Sequence, residues 1–282
     1  MVEVTLLGIA QDGGRPQPGC QKPCCIGLES SEFSFPVALG VTSHGCNILI
    51  DATRDLVRQL SLWNQFRVDH LLLTHAHLGH VDGLGLFGRE AMGAKDVGLH
   101  VSDDMYHLID RTPAWNLMVQ QGVFELQTFT SGDRLVLAND VVIEPVKVPH
   151  RAELSDMHAF VIRGREKALL YLPDHDAWAE TLALHHCTTI REWFSKLSID
   201  IVLIDGTFWS ADELGQRKQS EVPHPPVSSS LELLGKRTKD DPEIYFIHLN
   251  HTNPLYDTGS DEFRKVGSMG WSVAKQGQQF TL

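Results

Sequence analysis

The chain has 282 residues, of which 42% are hydrophobic, and this is enough to bury a large core within one enzyme domain. Its formal net charge is −12 with only 24 lysine and arginine residues, which disfavours general binding to nucleic acid and favours a small-molecule substrate. No stretch approaches the roughly 20 apolar residues that cross a membrane, and the amino terminus lacks a secretory pattern, so we expect a cytoplasmic protein.

Short apolar runs separated by segments of helical periodicity predict a mixed α/β protein. Residues 1–8 alternate like a strand, and residues 46–50 predict a buried strand that ends at Asp51. Thr53 then resembles a helix cap, and the residues at helical spacing behind it are Leu56, Leu60, Trp63 and Phe66. Another strand, residues 68–74, precedes a group of histidines, and Gly83 to Met92 predicts a helix. With no linker or repeat in the sequence, we expect one domain over residues 1–282.

The second half is richer in strands. Apolar or β-branched runs bounded by turn residues predict strands at residues 135–137, 141–148, 158–162, 168–172, 200–204 and 243–247. Helices are predicted at residues 190–197 and 229–234. A polar residue lies at or just after the carboxyl end of several strands: His75, His150, Asp174, Asp205 and His248. Loops at strand ends commonly build active sites on a rigid sheet, so this placement favours a site at that edge.

The segment His75-Ala76-His77-Leu78-Gly79-His80 contains three imidazoles within six residues, which favours a metal site. In an extended or tightly turning segment, His75 and His77 project to the same side and can reach one ion. His80 comes from the start of the next helix and can face a neighbouring position. Asp174 has two carboxylate oxygens and can therefore bridge adjacent ions.

In the order of these residues the chain resembles the metallo-β-lactamase superfamily. That family has an early Asp, a H-x-H-x-D-H motif, and then a later His, Asp and His, which match Asp51, residues 75–80, His150, Asp174 and His248. The resemblance implies a four-layer αββα sandwich of two mixed β-sheets. It also implies a first ion on His75, His77 and His150, a second on His80 and His248, Asp174 as the bridge, and Asp51 supporting the histidine loop. We expect one or two zinc ions, with iron or manganese as alternatives.

The flanking segments are similar to the coenzyme PQQ synthesis protein B branch, which residues 8–17, 205–214, 248–254 and the His224-Pro225-Pro226 segment resemble. Members of that branch lose the leading histidines and keep the aspartate of the motif, whereas this chain does the reverse. Gly79 stands where the commonest motif has aspartate, so the second ion would keep His80, Asp174 and His248 and be bound more weakly. Asp82, one helical turn further on, is better interpreted as a solvated helix-start carboxylate than as a substitute ligand.

Three of the five cysteines lie within residues 20–25, which indicates metal or thiol chemistry rather than a disulfide framework. Some relatives, including the cyclic phosphodiesterase of phosphonate utilisation, hold a structural zinc through a cysteine-rich loop and a His beyond the last active-site His. The resemblance implies such a zinc on Cys20, Cys24, Cys25 and His251. Adjacent Cys24 and Cys25 cannot easily bind one ion through both sulfurs, so we expect one to be a spectator; the alternative is buried thiols with no metal. His248 follows a strand directly, so we assign it to the active site and His251 to the cysteines.

The resemblance implies a metallohydrolase that cleaves a small phosphodiester, ester or lactone with a metal-bound hydroxide. The candidate catalytic residues are Asp174, His224 and Asp205, the last two as proton donor or orienting group. Asp205 could instead form a plain turn, and His224 could lie in a surface loop. Two further functions stay open: an iron-dependent oxidative enzyme related to PQQ synthesis that hydroxylates an aromatic, amino-acid-derived substrate, and a non-catalytic metal-binding protein. A homodimer is compatible with the sequence.

Overall fold

Two seven-stranded β-sheets form the centre of the computed structural model, which describes residues 1–151, 153–214 and 223–282. The first sheet has the strand order β14 (Gln279–Thr281), β1 (Val2–Gly8), β2 (Ala38–Ser43), β3 (Cys46–Ile50), β4 (His70–Leu72), β5 (Val97–Ser102) and β6 (Phe124–Phe129). The second has the order β13 (Ser272–Val273), β12 (Glu243–Ile247), β11 (Ile201–Asp205), β10 (Ala168–Leu172), β9 (Met157–Arg163), β8 (Val141–Val148) and β7 (Leu135–Ala138).

Both sheets are mixed. Strands β3 to β6 pair in parallel in one sheet and β10 to β13 in the other, and the remaining pairs are antiparallel. The α-helices are α1 (Leu56–Trp63), α2 (Leu78–Val81), α3 (Asp103–Arg111), α4 (Pro113–Gln120), α5 (Trp178–Leu184), α6 (Ile190–Leu197), α7 (Val227–Leu234) and α8 (Asp261–Ser268). Short 3-10 helices span Ser30–Glu32, Asp82–Phe87, Ala211–Leu214 and Pro254–Tyr256. Among the described residues no helix is long and apolar enough to cross a membrane.

Alternation along the strands separates two apolar layers, because successive side chains of a strand point to opposite faces. In β3, Ile48 and Ile50 belong to the larger cluster, which contains residues of both sheets and of helices α5 to α8. Leu49, between them, belongs to a second cluster with Leu56 and Leu60 of α1 and residues of α3 and α4. The predicted αββα sandwich is thereby confirmed.

The candidate site lies where the carboxyl ends of several strands meet. Strands β3 and β4 run parallel in the first sheet, and β8, β10, β11 and β12 run in one direction in the second, because two successive antiparallel pairings restore the direction of β8 to that of β10. Asp51 follows β3 and the histidine segment follows β4. The second sheet contributes His150, Asp174, Asp205 and His248. Each residue therefore reaches the same edge from its own strand.

The predicted helix over residues 83–92 is wrong. The structure has α2, then the 3-10 helix Asp82–Phe87, and then turns. The Gly83 N–H donates to the Ala52 carbonyl at 2.8 Å instead of continuing a helical ladder, and a Cβ at position 83 would lie 2.3 Å from the Thr53 carbonyl oxygen. Gly85 and Gly88 further lower the helix propensity of this segment.

Two details at α1 also differ from prediction. The N-cap residue is Asp55, and the buried Thr53 accepts a hydrogen bond from the Asp55 N–H at 3.1 Å and bonds Gln59 at 2.8 Å. The helix ends at Asn64, whose φ of 57° is left-handed, so Phe66 falls outside the helix and is 66% exposed.

Candidate metal centre

The loop that carries the first three histidines is fixed by Asp51. This carboxylate is fully buried, and its Oδ1 accepts hydrogen bonds from the N–H and the hydroxyl of Thr74, both at 2.9 Å. Its Oδ2 lies 2.8 Å from Nδ1 of His80 and 3.4 Å from the Tyr171 hydroxyl. Asp51 therefore joins the two ends of the histidine segment.

His75, His77 and His150 converge into one donor set. Nδ1 of His77 lies 2.9 Å from Nε2 of His75 and 3.3 Å from Nε2 of His150. A tetrahedral zinc with Zn–N bonds of about 2.0–2.1 Å places its ligand atoms about 3.3–3.4 Å apart, so these nitrogens need little movement to bind one ion. The set matches the three ligands predicted for the first metal.

The opposite nitrogen of each of these imidazoles has a partner, which fixes the ring and its tautomer. The pairs are His75 Nδ1 with the Thr74 hydroxyl at 3.0 Å, His150 Nδ1 with the Asp176 carboxylate at 2.9 Å and His77 Nε2 with the Glu153 carboxylate at 3.3 Å. The sequence patterns do not single out Asp176 or Glu153. The three central nitrogens can therefore present lone pairs to one point.

A second donor set adjoins the first. Asp174 Oδ2 lies 3.3 Å from Nε2 of His80, and Asp174 Oδ1 lies 3.4 Å from Nε2 of His248 and 3.9 Å from Nε2 of His150. Asp12, in the loop after β1, places its Oδ1 3.5 Å from the Nε2 atoms of both His80 and His248. Asp12 is a candidate ligand that no motif predicted; the only sequence signal is an aspartate in a glycine-rich loop.

The donor atoms of this second set fit a metal. Nδ1 of His248 lies 2.8 Å from the Thr207 hydroxyl, so Nε2 is the nitrogen that faces the set. Within the described part of the chain, His248 Nε2 and Asp174 Oδ2 are buried without a hydrogen-bond partner, an arrangement that is costly unless a ligand completes it. Because Asp174 Oδ1 lies 3.9 Å from His150 of the first set while both oxygens of this residue approach the second set, Asp174 is placed to bridge two ions.

The protonation states of the ligands differ between the two sets. Burial lowers the pKa of His75 well below its ordinary value and lowers that of His77, so both are neutral at pH 7, the form that binds metal. Burial alone would also lower the pKa of His80, but Asp51 and Asp174 outweigh it and raise this pKa well above its ordinary value. A metal that enters the second set therefore displaces a proton from His80.

His224 and Asp205 form a buried pair beside both sets. Nδ1 of His224 lies 2.8 Å from Asp205 Oδ2, and its ring centroid is 5.4 Å from that of His150 and 5.5 Å from that of His248. Burial would lower the pKa of His224, but Asp205 outweighs it and raises the pKa. Asp205 also accepts from the Thr207 N–H and hydroxyl at 2.9 and 2.7 Å. His224 and Asp205 thus both lie in the site, and both are buried.

The cysteine loop and His251 form a separate cluster. Nδ1 of His251 lies 3.4 Å from the sulfurs of both Cys24 and Cys25, and these sulfurs are 3.9 Å apart. Cys20 Sγ is 4.0 Å from Cys24 Sγ. Zn–S bonds of about 2.3 Å in a tetrahedron separate sulfurs by about 3.8 Å. The turn over residues 22–26 brings the thiols of both adjacent cysteines to the same side, so the geometry allows both to bind one ion, whereas the sequence led us to expect one of them to be a spectator.

Comparisons with known proteins agree with this architecture. A family model described as the β-lactamase superfamily domain matches residues 46–249. Coenzyme PQQ synthesis protein B of Xanthomonas oryzae pv. oryzae is 26% identical, and the alignment covers all of both chains.

Two solved structures share the fold. The zinc-bound PqqB of Methylobacterium extorquens superposes with a TM-score of 0.78 at 20% identity, covering 99% of this chain and 100% of that one. A diphosphatase of the PhnP family superposes with a TM-score of 0.68 at 18% identity, covering 99% and 96%. The chain belongs to the metallo-β-lactamase superfamily, and within it resembles the coenzyme PQQ synthesis protein B branch.

Proposed function

We propose that the protein is a metal-dependent hydrolase of a small phosphodiester, ester or lactone. The observation that carries this proposal is the pair of adjoining donor sets that Asp174 connects: its oxygens lie 3.3 and 3.4 Å from His80 and His248 of the second set, and Oδ1 is also 3.9 Å from His150 of the first. His75, His77 and His150 would hold the first ion, and His80, His248 and Asp174 the second. Zinc suits these nitrogen and carboxylate ligands, and the chemistry it supplies when bound is Lewis-acid activation of water and of a substrate oxygen.

The remaining residues of the site provide proton transfer. His224 lies beside both donor sets, and when it is protonated it carries one proton on Nδ1, which faces Asp205, and a second on Nε2, which can be given to a leaving-group oxygen. Asp205 is held by Thr207 and fixes the orientation of the His224 ring. His224 would therefore act as the proton donor and Asp205 as its positioning residue.

A cleft of about 360 Å³ supports a small substrate. Its lining residues are Gln11, Asp12, Gly13, Gln17, Pro18, Arg54, Phe208, Asn250 and His251. Arg54 contributes a cation, paired with Asp82 at 2.7 Å, and Phe208 an apolar wall. A phosphoryl or carboxyl group next to Arg54 would lie on the side of the site where Asp12 faces the second donor set.

The proposal is tested with metal-stripped protein reloaded with zinc or manganese. We expect turnover of bis(p-nitrophenyl) phosphate, a p-nitrophenyl ester or a simple lactone, and loss of that turnover in His77→Ala. The control His44→Asn removes a histidine from the turn at the far end of β3, where φ is 49° and asparagine is tolerated. No turnover of any of these compounds by fully loaded protein would refute hydrolysis.

A second candidate function is a metal-dependent oxidative step in PQQ synthesis, favoured by the full-length match to proteins named for that synthesis. It requires iron at the same imidazoles and dioxygen as co-substrate, with an aromatic, amino-acid-derived substrate. Protein from iron-replete cells that contains only zinc and consumes no dioxygen would exclude it. Iron bound at one or two ions per chain, with no hydrolysis, would favour it over the first.

We also propose a structural zinc bound by the cluster of Cys20, Cys24, Cys25 and His251. The sulfur and nitrogen separations support this proposal. One zinc that remains after the active-site ions are stripped, and is lost in Cys20→Ser, is the expected result. The proposal would be contradicted if freshly purified protein contained no zinc and all three thiols reacted with a thiol reagent.

A further inference from the structure

Gly79 removes a carboxylate from the histidine segment, and the structure places another carboxylate in the vacated space. A Cβ built on Gly79 would lie 2.5 Å from the Cβ, the Cγ and the Oδ1 of Asp12. Gly79 itself is buried. A side chain at position 79 and the side chain of Asp12 therefore exclude one another.

Asp12 also lies beside the two imidazoles, His80 and His248, that would share the second ion with a carboxylate at position 79. Its Oδ1 is 3.5 Å from Nε2 of His80 and 3.5 Å from Nε2 of His248, and Asp174 approaches the same two nitrogens from its own strand end. The ligand atoms of Asp12, His80 and His248 lie within 4.8 Å of one another. One tetrahedral ion accepts two imidazoles and two carboxylates.

The Asp12 loop is anchored to the segment that carries His248. The Gln11 N–H donates to the Leu249 carbonyl at 2.9 Å, and the Leu249 N–H donates to the Ile9 carbonyl at 2.7 Å. A turn closed by the Gly14 N–H on the Gln11 carbonyl at 2.7 Å then projects Asp12 towards the site. This backbone pairing fixes the carboxylate beside His248 without requiring a metal, so the position is preorganised.

Asp82 does not take this role. Its carboxylate pairs with Arg54 at 2.7 Å and is about one third exposed, and it belongs to no group of converging metal-binding atoms among the described residues. Asp82 is therefore a matched control for Asp12, because it is an aspartate three residues from Gly79 that forms an ion pair at the rim of the site.

We propose that Asp12 supplies to the second metal the carboxylate that Gly79 lacks, so that the ligand has moved from the histidine segment to the loop after β1. This inference rests on the two-metal site of the proposed function. It changes the expectation for that ion: the second set has four protein ligands, and its affinity is not reduced by Gly79.

The test is a reciprocal exchange of the two positions, followed by zinc titration against a competing chelator and by elemental analysis, with the cysteine cluster removed from the count by Cys20→Ser in every variant. We expect Asp12→Asn and Asp12→Gly to weaken the second ion by about 100-fold or more, since even partners behind the ligands are worth about 10–100-fold. Asp82→Asn should bind two ions as the parent does. The double variant Asp12→Gly/Gly79→Asp should regain the second ion.

Circular dichroism and the affinity of the first ion report whether each variant is folded. Parental affinity for the second ion in folded Asp12→Asn would overturn the inference, as would a folded double variant that binds no better than Asp12→Gly. The metal counts are independent of turnover. Counts that follow the exchange in a protein without hydrolytic activity would therefore refute the proposed function and leave the role of Asp12 intact.

Discussion

Replacing Asp51 by asparagine should weaken binding of the second metal while leaving the fold largely intact. Oδ1 of Asp51 accepts from the Thr74 N–H, so the asparagine oxygen must face Thr74 and its NH2 group must face Nδ1 of His80, now 2.8 Å from Oδ2. Nδ1 then becomes the acceptor, and the proton moves to Nε2, the nitrogen that faces Asp174 and Asp12. An imidazole in this tautomer cannot bind a metal through Nε2.

The magnitude follows from the bond that must break to restore the other tautomer. To bind metal through Nε2, His80 must carry its proton on Nδ1, where it would face the NH2 group of the asparagine. Two donors would then face each other, and the loss of this buried hydrogen bond costs about 1.5–3 kcal/mol, or about 10- to 150-fold in Kd. Asp51→Ala is different, because it removes the acceptor of both Thr74 and His80. It should lower the free energy of unfolding by about 2–6 kcal/mol, and alanine at the φ of 66° adds about 1–2 kcal/mol.

Zinc titration and urea unfolding of the metal-free proteins separate the two effects. Asp200→Asn is the control, since Asp200 accepts from the Ala168 N–H at 2.8 Å at the opposite end of the second sheet. The first ion, on His75, His77 and His150, should bind Asp51→Asn with nearly its parental affinity. A second-ion Kd within threefold of the parental value would show that Asp51 does not select the tautomer of His80.

Further predictions concern the cysteine cluster, the buried His100 and two glycines in different surroundings. Cys25→Ser should lose one zinc per chain and lower Tm by about 5 °C or more, whereas Cys46→Ser should keep the full count; equal zinc content in both would contradict a structural site. Burial, and to a lesser extent a neighbouring imidazole, lower the pKa of His100 from 6.5 to about 4. Between pH 6.5 and 4 this histidine is therefore protonated in the unfolded chain but not in the folded one, so the free energy of unfolding falls as the pH decreases through this range. His100→Gln should reduce this fall in the free energy of unfolding, measured by urea titration at each pH, by up to about 3 kcal/mol. An unchanged dependence of stability on pH would refute the lowered pKa of His100. Gly40→Ala places a Cβ 2.4 Å from the ring of Trp63 and should lower the free energy of unfolding by about 1–3 kcal/mol. Gly267→Ala, in a helix, meets nothing within 4 Å and should be neutral or stabilising. Equal urea midpoints for the two variants would be inconsistent with this packing.

The second sheet was readable from the sequence because its inner strands are nearly continuous apolar runs. Strands β8, β10 and β12 begin and end within one residue of prediction, since residues such as Leu169 to Leu172 are buried on both faces and bounded by turn residues. Strand β5 escaped prediction because Gly98 and His100 interrupt its pattern. Gly98 is required there by packing, since a Cβ would lie 2.6 Å from Nδ1 of His70.

The candidate site was predictable to the extent that its residues follow strands. His150, Asp174 and His248 each lie within two residues of a strand end, so a shared sheet edge could be expected from the sequence. Asp12 and Asp176 lie in loops, and their approach to the site depends on tertiary hydrogen bonds such as that from Asp176 N–H to the Pro149 carbonyl at 2.9 Å. A sequence contains no local signal for such a contact.

The donors of the candidate metal centre are divided between the two halves of the sandwich. His75, His77 and His80 come from the first sheet, and His150, Asp174 and His248 come from the second. Ions bound between them would cross-link layers that otherwise meet through apolar side chains, and their binding free energy would add to the stability of that interface. Misassembled molecules, in which the layers are out of register, could not complete the coordination, so reactivity would be confined to correctly assembled copies of the chain.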